Sequence, residues 1–434
     1  MPPVAFEIQQ RDSESHARVG RVTTPHGEFD TPAFMPVGTQ ATVKGLTPDQ
    51  VAATGAQIVL ANTYHLMLRP GAELIGEMGG LQSWMGWSGP MLTDSGGYQV
   101  FSLAEINRID DDGVRFRSHI DGQYVDLTPE RSIEVQNHLG ADIIMAFDDC
   151  PPGEPADAGA YPESGTGESG GGDPAGSLPP SAPAKVQADR RTTGAEAKSR
   201  PSAGRPSQGS RLSHDKRLAL ANERTIRWLD RCIAAHDRTD RQALFGIVQG
   251  GTDLSKRQWC LDAVTARDLP GYAIGGVAVG EGPRQMKRVV DYTAPRLPVD
   301  RPRYLMGVGY ARDIVMAVRA GVDMFDCVLP TRNGRNGVAF TREGPVRLKN
   351  ARFRADRAPI EADCDCPVCA AGFSRSYLRH LFMAGEMLGG ILTSAHNLRH
   401  FQRLVLDIRT AIAHNAWSSF FRAWPVAAPV EMPD

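Results

Sequence analysis

The sequence lacks the features that would assign it to several common classes of protein. Its 434 residues contain no stretch of about 18 apolar residues, so no membrane-spanning helix is expected. The N-terminus has neither the basic start nor the apolar run of a secretory signal peptide. No G-x-x-x-x-G-K-S/T or G-x-G-x-x-G cofactor loop follows an apolar run. The formal net charge is only −2, so overall composition gives no indication of a nucleic-acid partner.

Cysteine is scarce, and its distribution is uneven. There are seven cysteines, and three of them are grouped near the C-terminus. An odd number with one tight group favours a metal site in a reducing compartment over a set of disulfides. We therefore expect a cytoplasmic protein.

The grouped cysteines, in the run Cys364-Asp365-Cys366-Pro367-Val368-Cys369, are typical of a structural zinc site. Zn²⁺ binds four thiolate or imidazole ligands in a tetrahedron, and a Cys₃His set leaves no position for a substrate. We predict His396 as the fourth ligand, with His380 and His400 as competitors for that place. Any catalytic residues must then lie elsewhere in the chain.

One segment, residues 151–213, differs in composition from the rest. It consists mainly of Gly, Pro, Ala, Ser and charged residues, so it has too few large apolar side chains to offset its ordering entropy. We interpret it as a disordered insertion. It separates residues 1–150, which we interpret as the first part of a barrel with an N-terminal extension, from residues 214–340, the second part of that barrel. We interpret residues 341–434 as a zinc-binding subdomain with C-terminal helices.

Eight short apolar runs recur outside this insertion, each followed by glycine, proline or polar residues. Most are continuous rather than alternating, as expected for parallel strands that are buried on both faces. Helix-length segments lie between several of them, which predicts an α/β fold and, with eight units, a (β/α)₈ TIM barrel. A doubly wound sheet would give a similar pattern. The runs are Phe34–Val37, Ile58–Ala61, Met91–Thr93, Ile143–Phe147, Leu244–Val248, Tyr272–Val277, Tyr304–Val308 and Val322–Phe325.

Polar residues follow several of these runs, among them Asp94, Asp148, Gln249 and Asp326. In a parallel barrel the residues just after the strands share one rim, so we expect these side chains to lie together. One such aspartate alone is more often a helix cap, whereas three beside an amide and paired glycines indicate a site. Carboxylate pairs suit chemistry at an anomeric carbon, where one is the nucleophile and the other moves a proton. The amide and a further carboxylate suit the edge of a purine-like base.

Positive charge is concentrated between Thr331 and Arg357. Eight Lys or Arg side chains stand there against Glu343 and Asp356, a local charge of +6 that is suited to phosphates. On charge alone, a solvated loop face explains the pattern equally well.

Together these segments resemble the tRNA-guanine transglycosylase family of the bacterial type, also called the queuine tRNA-ribosyltransferase family. The resemblance covers nearly the whole chain except the insertion, and agreement at all seven motifs by chance is negligible. The motifs are TDSGGYQ at Thr93–Gln99, MAFDDC at Met145–Cys150, GIVQGG at Gly246–Gly251, AIGGVAVGEG at Ala273–Gly282, YLMGVG at Tyr304–Gly309, FDCVLPTRNGR at Phe325–Arg335, and the cysteine run with His396.

The resemblance implies roles for two carboxylates and for the cysteine group. Asp326 is expected to be the covalent nucleophile, which attacks C1′ of the guanosine at the anticodon wobble position and releases guanine. Asp94 is expected to accept the proton of the incoming base at the ring nitrogen that forms the new bond. One structural Zn²⁺ per subunit is expected at the Cys₃His group.

The resemblance also implies which residues bind the base and the RNA. Asp148, Gln249 and the Gly276 backbone are expected at the base edge, Tyr98 and Met306 on the two faces of the ring, and Glu281 near the 7-substituent. The full set expected at the base is Ser95, Gly96, Gly97, Tyr98, Asp148, Gln249, Gly276 and Met306. The set expected at the RNA is Gly307, Val308, Gly309, Tyr310, Ala311, Arg312, Asp313, Thr331, Arg332, Asn333, Gly334 and Arg335.

Members of the family differ in the base that they insert. Bacterial enzymes insert 7-aminomethyl-7-deazaguanine (preQ1), eukaryotic ones insert queuine, and archaeal relatives insert a 7-cyano base elsewhere in tRNA. Cys150 and Val279 resemble the bacterial pocket, because eukaryotic enzymes have glycine in place of Val279. We therefore expect an enzyme that inserts preQ1 into tRNAs with a G-U-N anticodon, a step of queuosine biosynthesis. Because bacterial members of the family are homodimers, the resemblance also implies a homodimer.

Two alternatives belong to other classes. A non-catalytic tRNA-binding subunit would have lost the active carboxylates, but Asp94 and Asp326 are both present. A DNA-base transglycosylase of the same superfamily would share them.

The insertion departs from the family pattern, and we interpret it as a tolerated surface loop, with an RNA-contacting accessory as the alternative.

Overall fold

The computed structural model describes residues 3–103, 105–151 and 213–429, without the side chains of residues 103–107. The insertion predicted at 151–213 therefore lies outside the described residues, apart from its two end residues. Sixteen strands occur in the described part. They are β1 Ala5–Arg11, β2 Arg18–Thr24, β3 Gly27–Thr31, β4 Ala33–Gly38, β5 Val59–Ala61, β6 Met91–Thr93, β7 Glu105–Ile109, β8 Val114–Arg117, β9 Tyr124–Leu127, β10 Ile143–Met145, β11 Ala243–Val248, β12 Gly271–Ile274, β13 Arg303–Leu305, β14 Met324–Cys327, β15 Val338–Thr341 and β16 Gly344–Arg347.

Eight of these strands form a closed parallel barrel. Their order around the ring is β4-β5-β6-β10-β11-β12-β13-β14, and β14 pairs in turn with β4. Each of the eight apolar runs overlaps one barrel strand, so the (β/α)₈ prediction is confirmed and the doubly wound alternative is wrong. The short, fully apolar strands reflect burial on both faces, towards the barrel interior and towards the surrounding helices.

The antiparallel sheet β1-β2-β3 lies at the N-terminal end of the barrel. Val22 and Phe29 of this sheet join one buried cluster with barrel residues such as Met35 and Phe245. Arg18 of β2 makes a buried ion pair with Asp323, which immediately precedes β14, at 2.6 Å between Nη2 and Oδ2. The sheet thus covers the end of the barrel opposite to the carboxyl ends of the strands, where a site is expected.

Fifteen α-helices occur in the described part, most of them around the barrel and some in the C-terminal part. Polar side chains cap several helix starts; Asp253, for example, accepts the backbone N–H groups of Ser255 and Lys256. None of the described helices is both long and apolar enough to span a membrane. The helices are α1 Pro48–Ala53, α2 Thr63–Leu68, α3 Ala72–Glu77, α4 Gly80–Met85, α5 Gly97–Leu103, α6 Pro129–Leu139, α7 His214–Ala235, α8 Leu254–Thr265, α9 Pro283–Thr293, α10 Ala311–Arg319, α11 Leu329–Arg335, α12 Pro367–Ala370, α13 Arg375–Ala384, α14 Met387–His414 and α15 Trp417–Ala423.

The longest helix, α14, joins the C-terminal part to the beginning of the barrel. Its Phe401 stacks on Phe34 of β4 with ring centroids 4.8 Å apart. The Gln402 amide donates to the Phe34 carbonyl at 3.0 Å, and Arg409 donates to the Pro32 carbonyl at 2.7 Å. The 28 residues of α14 therefore cover the seam at which β14 meets β4.

Candidate active site and metal centre

Asp94 lies directly after β6 in a buried hydrogen-bond network. Its Oδ1 accepts the Thr63 backbone N–H at 2.8 Å, and its Oδ2 accepts the side-chain amides of Asn62 at 2.5 Å and Gln99 at 2.8 Å. Burial raises the pKa of Asp94 to about 6, the three hydrogen bonds oppose this rise, and the charge of Asp326 adds to it. A carboxyl group with this pKa can hold or release a proton near neutral pH.

Asp326 lies in β14 and is held through one oxygen. The Tyr304 hydroxyl donates to Oδ1 at 2.5 Å, and the Gly307 backbone N–H donates to the same atom at 2.8 Å. Burial raises the pKa of Asp326, while these two hydrogen bonds oppose the rise. Neither of these two contacts occupies Oδ2, so this is the oxygen available to an electrophile.

The two carboxyl groups lie close enough at the carboxyl end of the barrel for their charges to interact. The Asp326 charge raises the pKa of Asp94, and burial together with the charges of Asp326 and Asp94 raises the pKa of Tyr304 well above its usual value. One carboxylate has a free oxygen, whereas both oxygens of the other are engaged. This asymmetry suits a nucleophile next to a proton carrier.

A second polar group lies beside this pair and joins three strand ends. The Gln249 amide, after β11, donates to Asp148 Oδ2, after β10, at 2.6 Å. The Gln249 Oε1 is buried and has no protein partner, so it remains available as an acceptor. A Cβ at Gly276, after β12, would lie 2.3 Å from this oxygen, so the backbone must approach here without a side chain.

The ionisation of Asp148 should change the free energy of unfolding with pH. Burial raises its pKa to about 7, the Gln249 hydrogen bond lowers it, and the Asp149 charge raises it further. Because the folded state holds this proton more tightly than the unfolded state, the stabilisation is complete below about pH 4 and is lost as pH rises to about 7. Asp148→Asn should therefore stabilise the fold by about 2–4 kcal/mol at pH 8 and hardly at all at pH 4, as measured by urea unfolding.

A matched variant controls for the loss of any surface charge. Asp126 lies on β9 with its side chain two-thirds exposed, so Asp126→Asn should change stability little at either pH. An Asp148→Asn protein that is equally destabilised at pH 4 and pH 8 would contradict the assigned pKa.

Other predicted base contacts border this pocket. Ser95 and Gly97 are buried, and a Cβ at Gly97 would lie 3.1 Å from the Asp148 carbonyl. Tyr98 is half exposed and lies near Cys150, while Met306 packs against the barrel interior. The Tyr98 side chain is thus partly open to solvent, whereas the Met306 side chain is packed on the apolar core of the barrel.

The buried Glu281 shapes the loop after β12. Its Oε1 accepts the Ala278 backbone N–H at 2.5 Å, and its Oε2 accepts the Val279 N–H at 3.0 Å. Ala278 has φ of +61°, an uncommon conformation for a residue with a side chain. The carboxylate thereby holds this loop in a strained form next to the pocket.

The predicted RNA-contacting residues divide into an exposed and a buried group. The exposed or half-buried residues are Gly307, Tyr310, Arg312, Arg332, Asn333 and Arg335. The buried residues, which cannot touch RNA directly in this conformation, are Val308, Gly309, Ala311, Asp313, Thr331 and Gly334. Gly334 packs on α14, because a Cβ there would lie 2.7 Å from Ser394.

Sequence analysis missed several residues that hold the candidate site. Asn62 and Thr63 follow β5, so the strand-end rule applied to the run Ile58–Ala61 would have found them. Tyr304 lies within a strand and gave no such signal. Arg257 lies in α8, where its fully buried guanidinium donates to the carbonyls of Val248, Gly251 and Gly275.

The C-terminal cysteines and His396 form a compact buried group. The Nδ1 atom of His396 lies 3.7, 3.4 and 3.5 Å from the sulfurs of Cys364, Cys366 and Cys369. A tetrahedral zinc ion with ordinary bond lengths sets a sulfur–nitrogen separation of about 3.6 Å. The group therefore fits one metal ion, with all ligand atoms within 4.8 Å of one another.

A hydrogen bond fixes the orientation of the His396 ring. Its Nε2 contacts the Phe340 carbonyl at 2.8 Å, which leaves Nδ1 for the metal. The competing His400 packs between Phe340 and Trp424, and His380 is exposed on α13. His396 is thus the histidine that the structure brings to the three sulfurs.

The geometry defines a class of protein. It is a (β/α)₈-barrel enzyme with two carboxyl groups suited to an anomeric carbon, a further cluster of buried polar groups after the strands, and a separate metal-binding group. A family profile described as "Queuine tRNA-ribosyltransferase" matches residues 12–163 and 209–428. The chain belongs to the queuine tRNA-ribosyltransferase family.

Individual relatives match over nearly their whole length. A queuine tRNA-ribosyltransferase of Thermus thermophilus is 48% identical over 422 residues, which covers 97% of this chain and 94% of the relative. The enzyme of Synechococcus elongatus is 47% identical over 98% of this chain and 96% of the relative. That of Zymomonas mobilis is 46% identical over 97% of this chain and 95% of the relative. The resemblance seen in the sequence motifs is thereby confirmed.

Proposed function

We propose that this protein is a tRNA-guanine transglycosylase that replaces the wobble guanine of G-U-N tRNAs by preQ1. The observation that carries the proposal is the carboxyl pair, in which Asp326 has a free oxygen and Asp94 has a pKa of about 6. Family membership supports tRNA as the substrate.

In the first half-reaction, Asp326 Oδ2 attacks C1′ of the target nucleoside as the bond from C1′ to N9 of guanine breaks. An ester links Asp326 to the ribose, and the bond electrons leave with guanine, which takes up a proton. In the second half-reaction, Asp94 takes the proton from N9 of the incoming base, and N9 displaces Asp326 from C1′. By microscopic reversibility the same carboxyl group can supply the proton to the departing guanine.

The base-edge pocket supplies complementary hydrogen-bonding groups. Asp148 and the free Gln249 Oε1 can accept the N–H groups of a guanine-type base, and the Gly276 N–H can donate to its oxo group. Tyr98 and Met306 would cover the two ring faces. The target nucleotide must leave the anticodon stack to reach this pocket, as enzymes that act on a base require.

The preQ1 assignment depends on the space and charge at the 7-position. Val279 fills volume that glycine would leave open, which favours the small aminomethyl group over the larger queuine substituent. An aminomethyl group is a cation at neutral pH, and the buried carboxylate of Glu281 is close enough to this loop to compensate it.

The tRNA and a second subunit would meet surfaces on the C-terminal side. Arg332 and Arg335 are exposed on α11 beside the remaining basic residues between Thr331 and Arg357, which suits contact with phosphates. Tyr377, Met383 and Met387 are exposed near the metal-binding group, which supports a homodimer interface on that face. The cytoplasm, where tRNA is modified, is the compartment that these partners require.

Zinc is the metal that we propose for the Cys₃His group. Three thiolates and one imidazole match its preferred ligands, and the ligand separations match its bond lengths. With four protein ligands no position is open to substrate, so its contribution is structural.

Base exchange distinguishes this function from the two alternatives. The full-length protein is incubated with unmodified tRNA and radiolabelled guanine or preQ1, using tRNAs with and without a G-U-N anticodon. We expect label only in G-U-N tRNAs, at a rate that duplex DNA does not reduce by competition. Absence of exchange would indicate a non-catalytic subunit, and strong competition by duplex DNA would indicate the DNA-base transglycosylase.

A further inference from the structure

Arg257 is the most deeply buried cation near the candidate active site. It is fully buried, and no carboxylate forms an ion pair with it among the described residues. Burial lowers its pKa to about 10, against the effects of Cys260, Cys150 and Glu281. An apolar side chain would fill the same volume without this desolvation cost, so the reason for a guanidinium must lie in its hydrogen bonds.

Those hydrogen bonds hold the backbone beside two of the predicted base contacts, Gln249 and Gly276. Nη1 donates to the Val248 carbonyl at 3.1 Å and Nε donates to the Gly251 carbonyl at 2.8 Å, which brackets Gln249. Nη2 donates to the Gly275 carbonyl at 2.8 Å. A Cβ at Gly250 would lie 2.7 Å from the Arg257 backbone nitrogen, so the loop after β11 is packed directly on Arg257.

The contact with Gly275 fixes the direction of one peptide N–H. In a planar trans peptide the carbonyl of one residue and the N–H of the next point in opposite directions. With the Gly275 carbonyl turned to Arg257, the Gly276 N–H must point away from it. It lies near the Cys150 thiol, which is also close to Asp148, and it counteracts the rise that burial causes in the pKa of that thiol.

A Gly–Gly peptide needs such a restraint. Neither residue has a Cβ that would limit rotation, so this peptide can turn over more readily than any other type. The reversed orientation would present a carbonyl to the pocket beside Asp148 and would aim the N–H at the guanidinium. That orientation is disfavoured because the N–H would face the positive guanidinium of Arg257 and the carbonyl would face the carboxyl group of Asp148.

We propose that Arg257 is a positioning residue that sets base specificity by holding the Gly276 N–H as a donor to the 6-oxo group of the base. This inference rests on the proposed transglycosylase function. Guanine and a 7-deazaguanine differ at position 7, so a donor that serves both bases must read an acceptor that they share. On the edge away from the ribose, that acceptor is the 6-oxo group.

The test uses two base analogues and wild-type exchange as the reference. Inhibition constants against radiolabelled guanine exchange are measured for 2-aminopurine, which lacks the 6-oxo group, and for hypoxanthine, which lacks the 2-amino group. For the wild type we expect 2-aminopurine to bind roughly 10- to 100-fold more weakly than guanine, because it offers the Gly276 N–H no 6-oxo acceptor and its N1 carries no proton for Asp148.

Arg257→Lys keeps the charge but cannot hold three carbonyls. We expect its guanine affinity to fall and its preference for guanine over 2-aminopurine to shrink by about 5- to 10-fold, while its preference for guanine over hypoxanthine stays unchanged. Arg257→Gln, which keeps a planar donor group, should give the same pattern. The matched control is Arg303→Lys, because Arg303 is also a buried arginine bound to backbone carbonyls, at the opposite end of the barrel.

The possible outcomes separate the two proposals. If both preferences change equally in the Arg257 variants, or if both variants unfold while Arg303→Lys remains folded, Arg257 is a structural residue and the inference is wrong. If the wild type exchanges no guanine at all, the proposed function fails instead. We expect the control variant Arg303→Lys to have a lower melting temperature than the wild type and an unchanged base preference.

Discussion

Asp326→Asn is expected to reduce guanine exchange by roughly 10⁴-fold or more and to abolish the covalent RNA–protein adduct. The amide is nearly the same size as the carboxylate, and its oxygen can still accept the hydrogen bonds of Tyr304 and Gly307. It is, however, a poor nucleophile towards C1′. Rates are measured by incorporation of radiolabelled guanine into tRNA, and the adduct is measured as a shifted band on a denaturing gel.

Asp94→Asn provides the comparison for this result. It removes the proton carrier and leaves the nucleophile, so the adduct should form more slowly but still accumulate, because the incoming base is not deprotonated. Circular dichroism checks that both variants are folded. An adduct that formed at the wild-type rate with Asp326→Asn would show that another residue attacks C1′, and the assignment of the two carboxyl groups would have to be revised.

Loss of the metal group is expected to have the second largest effect. Cys366→Ser should remove the metal, lower the melting temperature by roughly 10 °C and expose the region after residue 341 to proteases. The reason is that His396 lies on α14, the helix whose Phe401, Gln402 and Arg409 contact the beginning of the barrel. Metal content is measured by mass spectrometry, and fragments of limited proteolysis are identified by mass.

Cys232→Ser controls for the loss of a buried thiol. The Cys232 sulfur accepts the Phe147 N–H and contacts the Pro129 carbonyl, and a serine hydroxyl can replace both contacts. This variant should keep one metal ion per chain and a melting temperature close to that of the wild type. If Cys366→Ser lost its metal but melted like the wild type and resisted proteolysis equally, the metal would not stabilise the C-terminal part.

The sequence predicted the barrel because its strands are short, apolar and separated by helix-length segments. The same reasoning did not predict the sheets β1-β2-β3 and β7-β8-β9. Their strands alternate charged and apolar residues, as in the Arg115 and Arg117 positions of β8, and they lie outside the repeating pattern. Antiparallel sheets with one solvated face give this weaker signal.

The candidate site was predicted where chemistry follows directly from residue type. Asp94, Asp148 and Asp326 could be proposed from their places after apolar runs, because the carboxyl ends of all parallel strands of a barrel lie at one rim. Arg257 could not be proposed in this way. It binds backbone carbonyls that only the fold places around it, and the direction of a carbonyl cannot be predicted from residue type.

The position of β4 in the ring has a consequence for the synthesis of the chain. β4 pairs with β14, and about 290 residues separate the two strands. A ribosome adds about 5–20 residues per second, so the nascent chain carries an open strand edge for tens of seconds before its partner exists. The helix that covers the junction of these strands, α14, is synthesised later still, and it carries the metal ligand His396. A shortage of metal would therefore affect newly made chains first, because their exposed strand edge can pair with neighbouring molecules or bind chaperones.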